Sequence, residues 1–159
     1  EETIKGERIV PHVIEPSYGI DRIIFSTLLH SYVEDNNEEG EQRAYFKLPA
    51  KIAPIKATIC PLVNKDEILE IGKNIEDSLR ENGFITTFET SGSIGRKYAR
   101  SDEVGIPYAI TVDYDSLEDK KVTIRNRDDF QQKRIAINRV PIVVKELIEG
   151  NIGFEDIEE

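Results

Sequence analysis

From residue 50 onward the sequence predicts a three-layer mixed α/β domain, and three observations carry that prediction. Runs with period-two apolar alternation trade places with runs whose apolar residues recur at helical spacing, in the order β-α-β-α-β-β-β-α. Right-handed crossovers make the first three of those strands parallel. Two alternating runs flank Asp128-Asp129 and read as an antiparallel hairpin on one edge. The expected sheet is therefore five-stranded and mixed, with about three helices, and a strand–helix unit precedes it.

In chain order, Arg8 to Glu15 reads as a strand, with Pro11 marking an edge or an irregularity. Pro16 and Gly19 turn the chain into a helix whose Ile20, Ile23, Ile24, Thr27, Leu28, Ser31 and Tyr32 share one face. The acidic run Glu34 to Gly40 should end that helix as a surface loop, and Arg43 to Leu48 reads as a short strand. Pro49 and Pro54 bracket a boundary near residue 50, dividing the chain into 1–49 and 50–159. Ile55 to Cys60 alternates apolar and polar, as a half-buried strand does. Asn64 and Glu67 have capping-box spacing ahead of a helix with Ile68, Ile71, Ile75 and Leu79 on one face, which Gly83 should stop. Phe84 to Glu89 returns as a strand, Ser91 to Gly105 supplies the next crossover, and Ile106 to Val112 is the third strand. Val122 to Arg127 and Gln131 to Ile137 form the hairpin. Asn138 should cap a last helix carrying Ile142, Val143, Leu147 and Ile148, closed by Gly150.

Composition narrows the function classes. With 38% apolar and 33% charged residues the chain is expected to fold as a soluble protein. No apolar run approaches the roughly 20 residues of a membrane helix, and no signal-peptide pattern opens the sequence, so no membrane partner is expected. Cys60 has no second cysteine for a disulfide and no neighbouring Cys or His for a metal, which suits a buried thiol in a reducing cytoplasm. A net charge of −10 argues against non-specific DNA binding. Yet Lys120, Lys121, Arg125, Arg127, Lys133 and Arg134 fall within one short stretch, opposed there by Asp128 and Asp129. An acidic body with local basic patches suits a protein that binds one polyanion in one place.

The residues complete no catalytic constellation, no calcium loop, no P-loop and no metal site, and His12 and His30 stand apart. Two stretches nevertheless suggest binding. In Ser91 to Gly105, small residues open a segment carrying Arg96, Lys97 and Arg100 with Tyr98 between them. Free N–H groups at a helix start and nearby cations favour an anion there, although a solvated αβ connection has the same composition. In Glu15 to Arg22, a carboxylate, the Ser17 hydroxyl and an arginine one turn later can converge on a pocket. Glu15 suits an ammonium, and Arg22 suits a phosphate or a base to stack on.

Val13 to Arg22, Val-Ile-Glu-Pro-Ser-Tyr-Gly-Ile-Asp-Arg, resembles motif 3 of the class II aminoacyl-tRNA synthetases in its glycyl form, of the archaeal and eukaryotic type. The resemblance continues through Glu41-Gln42-Arg43, Leu48-Pro49-Ala50 with Ala53-Pro54, and Cys60-Pro61-Leu62. It is strongest in Ser91 to Gly105, and runs through Ile124-Arg125-Asn126-Arg127-Asp128 to Gly150-Asn151-Ile152. It implies that 1–49 is the end of a catalytic domain and 50–159 an anticodon-binding domain. It also implies that Glu15 and Ser17 line a glycine pocket and that Arg22 contacts ATP. Asp21 departs from the family, which often carries glycine there.

Motifs 1 and 2 of the family are absent from this stretch, so it should not charge tRNA by itself and should carry no catalytic residue, metal or cofactor of its own. The full-length enzyme would use ATP with Mg2+, join glycine to tRNA(Gly), and work as a homodimer in the cytoplasm. The work expected of this stretch is to recognise the anticodon of tRNA(Gly). Glycine anticodons carry cytosine at the second and third positions, whose amine and acceptors suit a carboxylate plus an arginine. Charge and position nominate Asp113 or Asp115 with Arg125 and Arg127 for the bases, Arg96, Lys97 and Arg100 for phosphates, and Tyr98 for stacking. A non-enzymatic accessory or protein-interaction module with the same fold is the alternative, and the retained Glu15, Ser17 and Arg22 count against it.

Overall fold

The computed structural model describes Gly6, residues 10–36 and residues 42–158. Among these residues, seven strands and five α-helices follow in chain order. They are α1 (Ile20–Ser31), β1 (Tyr32–Asn36), β2 (Gln42–Phe46), β3 (Ala57–Pro61), α2 (Asp66–Glu81), β4 (Thr86–Phe88), α3 (Ile94–Glu103), β5 (Tyr108–Val112), α4 (Asp115–Asp119), β6 (Lys121–Asn126), β7 (Gln132–Ala136) and α5 (Val140–Glu149). Short 3-10 turns at Ile137–Arg139 and Phe154–Asp156 flank α5.

The five-stranded sheet has the order β4-β3-β5-β6-β7. β3 pairs in parallel with β4 and with β5, while β5–β6 and β6–β7 are antiparallel. This is the expected mixed sheet with its hairpin on one edge. The chain leaves β3 toward β4 through α2, then steps back across β3 to β5 through α3. Right-handed crossovers in opposite directions put α2 and α3 on opposite faces.

Period-two alternation sorts the residues of each strand between those faces. Ala57, Ile59, Tyr108, Ile110, Val112, Val122, Ile124 and Ile135 join Ile68, Ile75 and Leu79 of α2 and Val140, Val143, Val144 and Leu147 of α5 in one apolar core. The opposite face carries Thr58, Cys60, Ala109, Thr111, Thr123, Arg125 and Arg134, and α3 covers part of it: Tyr98 Oη lies 2.7 Å from Thr111 Oγ1.

Several local expectations need correction. β3 is buried along its whole length rather than on one face, because α3 covers its Thr58 and Cys60 side. Asn64 does not cap α2; its N-cap is Lys65, with no side-chain cap. Nor does Asn138 cap α5, which starts from Arg139 with Pro141 in its first turn, and Ile142 is exposed while Val140 and Val144 complete the buried face. Gly83 and Gly150 do stop their helices at positive φ, 83° and 76°.

The N-terminal part differs more. Of the strand expected over Arg8 to Glu15, positions 8 and 9 lie outside the described residues, and residues 10–15 pair with no strand among the described residues. Val10, Val13 and Ile14 are exposed. Helix α1 forms as expected, but Ile20, Ile23, Ile24, Phe25 and Leu29 are all more than half exposed, so its apolar face is not covered. Tyr32 to Asn36, read partly as helix and partly as loop, is strand β1, paired antiparallel with β2 from Tyr32↔Phe46 to Asn36↔Gln42. The remainder of the expected loop, 37–40, lies outside the described residues. Hairpin β1–β2 packs on α3. Among the described residues no helix is long and apolar enough to cross a membrane.

Candidate functional site

A cleft of about 780 Å3 opens where β2, α3 and the β6–β7 turn meet; Gln42, Arg43, Tyr45, Arg96, Tyr98, Asp102, Glu103, Arg125 and Phe130 are among its lining residues. Its floor is a chain of alternating rings and guanidinium groups. Arg43 lies 4.0 Å over the Tyr45 ring and 4.2 Å over the Phe130 ring. Arg125 lies 5.1 Å over the same Phe130 ring and 4.6 Å over Tyr98. Tyr45, Arg43, Phe130, Arg125 and Tyr98 thus form one ladder drawn from four parts of the chain. A guanidinium is planar and weakly hydrated, so it can lie against a ring with little loss of hydration.

Asp102 ties the two arginines together. Arg125 donates from Nη1 to Oδ1 at 3.1 Å and from Nη2 to Oδ2 at 3.2 Å, and Arg43 donates from Nη1 to Oδ2 at 3.0 Å. The Asp102 and Arg125 side chains are each only 6% exposed. Burial raises the Asp102 carboxyl above its ordinary value, while the hydrogen bond from Arg125 and the charges of Arg125 and Arg43 pull it down. Removing one partner would leave an uncompensated buried charge, which is why such a triad holds its geometry. One positive charge is left over at the triad, and Arg96 adds an exposed cation on the first turn of α3.

Each nominated residue has a definite place. Arg125, Arg96 and Tyr98 share the cleft. Lys97 does not stand beside Arg96 in solvent; it is 1% exposed, and its Nζ donates to the Pro61 carbonyl at 2.6 Å. Helical geometry separates neighbours by about 100°, so Arg96 faces out while Lys97 faces the end of β3. Arg127 is 2% exposed and donates to the carbonyls of Gly105 at 2.8 Å and Leu48 at 2.9 Å, and to Asp128. These two cations are framework, not surface. Arg100 is exposed but paired with Glu89 at 2.6 Å and bonded to the Ser91 carbonyl.

The carboxylates also divide. Asp113 is held by Arg134 through both oxygens, at 2.8 and 3.0 Å, and accepts from Ser116. That hydrogen bonding depresses its pKa to about 2 and ties the carboxylate to Arg134 and the start of α4. Arg134 reaches on to Asp119 at 2.8 Å and so fastens α4 to the sheet. Asp115, at the start of α4, is exposed.

The other nominated pocket is not assembled by the described residues. Glu15 and Ser17 are exposed in the segment before α1, and no hydrogen bond joins them to Arg22 among those residues. Arg22 borders a separate shallow depression of about 500 Å3 with Ser26, His30, Pro49 and Ile52. Among the described residues, Glu15, Ser17 and Arg22 are not brought together, and no group of three His, Cys, Asp or Glu side chains is placed to hold a metal ion. Burial pushes the Cys60 thiol up to about 11, so it is an inert core group.

Sequence reasoning missed Arg43, Tyr45, Asp102, Glu103 and Phe130. One signal was available: an aromatic directly after Asp128-Asp129 in a hairpin turn, where Gly or Asn would be the usual choice.

The family described as anticodon binding domain matches the chain over residues 56–147. The glycine–tRNA ligase of Methanothermobacter thermautotrophicus is 51% identical over 146 residues, covering 91% of this chain and 25% of that protein. That of Aeropyrum pernix is 42% identical over 158 residues, covering 99% of this chain and 26% of the relative. The chain thus spans about a quarter of the length of the curated relatives it matches. The RNA binding domain of threonyl-tRNA synthetase from Cryptosporidium parvum Iowa II superposes with a TM-score of 0.58 over 64% of this chain and 25% of that one, at 24% identity, a likeness of fold.

Proposed function

Since the chain belongs to the family of anticodon binding domains, we propose that it binds the anticodon loop of a tRNA, and of glycine tRNA in particular. The choice of glycine rests on relatives 42–51% identical that are glycine–tRNA ligases. The single observation that carries the reading is the cleft between β2, α3 and the β6–β7 turn, with its stacked arginines and rings. Sequence-specific proteins read unpaired RNA bases by stacking and by hydrogen bonds to their edges, and a cleft with planar cations and aromatics supplies both.

In this reading Arg125 faces the acceptors of an anticodon cytosine, and Glu103, on the cleft wall, accepts from its exocyclic amine. Tyr98 contributes a ring, Arg96 holds a backbone phosphate, and Arg100 and Asp115 stand at the periphery. Lys97, Arg127 and Asp113 keep the scaffold in shape. The whole protein would be a cytoplasmic, dimeric glycine–tRNA ligase that activates glycine with ATP and Mg2+. Glu15 and Ser17 would then face glycine and Arg22 would face ATP, in a pocket completed by other parts of that protein. The 159-residue chain alone would bind tRNA without charging it.

The test is a pair of variants titrated against the anticodon stem-loop of glycine tRNA. Arg125→Lys keeps the charge but loses the two-pronged fork, and should cost about 1–3 kcal/mol with relaxed discrimination at the cytosines. Arg96→Ala should weaken all loops alike and lower the salt slope by about one. Intact cytosine discrimination in Arg125→Lys would refute the assignment.

A further inference from the structure

The middle rung of the ladder, Phe130, sits at φ 61°, in the left-handed region that a bulky side chain rarely adopts. The turn around it is fixed from both sides. Asn126 N–H donates to the Gln131 carbonyl at 2.9 Å, the Asn126 side chain accepts from Asp128 N–H at 3.3 Å, and Asp129 accepts from Gln131 N–H at 3.1 Å. Nothing in that turn needs an aromatic for its own closure; glycine or asparagine would fit the backbone better. The ring instead meets two guanidinium groups, Arg43 at 4.2 Å and Arg125 at 5.1 Å. Strain of this kind persists where the surroundings over-determine it, and it gathers at functional sites.

The consequence falls on Arg125. Its Nη1 and Nη2 each give one hydrogen to Asp102, and its other N–H groups make no hydrogen bond among the described residues. A guanidinium has five donors in a rigid plane, so an edge of Arg125 stays unsatisfied. Tyr98 and Phe130 against the plane, with Asp102 on one side, determine where that edge points.

We propose that Phe130 is a positioning residue for RNA recognition: its strained turn holds the ring that fixes the Arg125 plane and so presents a donor edge to one unpaired base. This rests on the anticodon-loop reading above and adds to it a residue that acts through Arg125 rather than on the RNA. The aromatic is kept at a cost to the turn because it orients the reader.

The experiment compares Phe130→Gly and Phe130→Tyr with the unaltered 159-residue chain. Binding to the glycine anticodon stem-loop and to loops with single cytosine replacements is followed by fluorescence anisotropy, and unfolding by thermal scan. Phe130→Gly should weaken the cognate loop roughly 10-fold, the size of one lost stacking or cation–ring contact. Its discrimination between loops should shrink, while its salt slope and unfolding midpoint do not fall. Phe130→Tyr, which restores the ring, should bind within about twofold of the unaltered chain. A merely structural role would lower midpoint and affinity together. The proposal is overturned if Phe130→Gly binds and discriminates like the unaltered chain, or if its loss of affinity tracks a fall in midpoint. If the unaltered chain binds no loop, the anticodon reading falls and this proposal with it; if it binds and Phe130→Gly binds equally, only this proposal falls.

Discussion

Arg125 and Arg127 lie close together on the hairpin and face different partners. Arg125 is turned to the α3 face and meets a carboxylate and two rings. Arg127, just past the end of β6, donates to two buried backbone carbonyls, those of Gly105 and Leu48, and pairs with the exposed Asp128. Arg127→Ala should therefore lower stability by about 2–6 kcal/mol, since each of two buried carbonyls left without a donor costs roughly 1–3 kcal/mol, measured by urea unfolding. Arg96→Ala should leave stability unchanged, since Arg96 is exposed. Asp113 gives a pH test with a definite sign. Its carboxyl falls from 3.8 to about 2 because Arg134 and Ser116 bond the ionised form. A depressed folded pKa contributes stability that is complete above the unfolded value and is lost as pH falls through the folded one. The stability gap between the unaltered chain and Asp113→Asn should thus be full above about pH 4 and close toward pH 2. A gap that persists unchanged at pH 2 would show that the Arg134 pair is not what holds the carboxyl down.

At the scale of elements, hairpin β1–β2 and helix α3 are the pair that makes the cleft. Gly105, just past the end of α3, sits at φ +81°, and a Cβ there would lie 2.8 Å from Leu48 Cδ1 and 3.1 Å from the Phe46 carbonyl. The close approach lets the segment after β2 lie against the end of α3, within reach of Arg43 and Arg127. Gly105→Ala adds left-handed strain, a clash with the Leu48 side chain and a tight contact with the Phe46 carbonyl, so it should cost roughly 2–4 kcal/mol in thermal or urea unfolding. It should also loosen the Arg43–Asp102 contact, visible as faster amide exchange in β2. Most strands, and helices α2 and α5, were legible because they bury an apolar face with its own period, as Ile68, Ile75 and Leu79 mark α2; α4, which buries only Ser116, was not. Strand β1 was not legible. Its Glu34, Asp35 and Asn36 have a loop's composition, and only pairing with β2 makes them a strand. The helix caps failed for a related reason. Asn64 and Asn138 have the right spacing, but the chain enters α2 and α5 from Lys65 and Arg139.

Over the whole molecule, the topology separates two jobs between the faces of one sheet. The face under α2 and α5 is apolar and supplies the core; the face under α3 keeps arginines, threonines and aromatics, and there the cleft opens. A net charge of −10 makes the body unattractive to nucleic acid in general, so binding should depend on this one region. The charges in the sequence were readable, but their roles were not. Which cations face solvent and which face a carbonyl depends on contacts between residues far apart in the chain, as Arg127 with Leu48 shows. The most direct test of the central claim is a titration of the unaltered chain with the glycine anticodon stem-loop and with the same loop carrying uracil for each cytosine in turn. Binding to the cognate loop should be saturable, and each replacement should weaken it about 10-fold or more, as expected for loss of an edge-specific hydrogen-bond pair. Equal affinity for all the loops, or no binding to any, would contradict the claim.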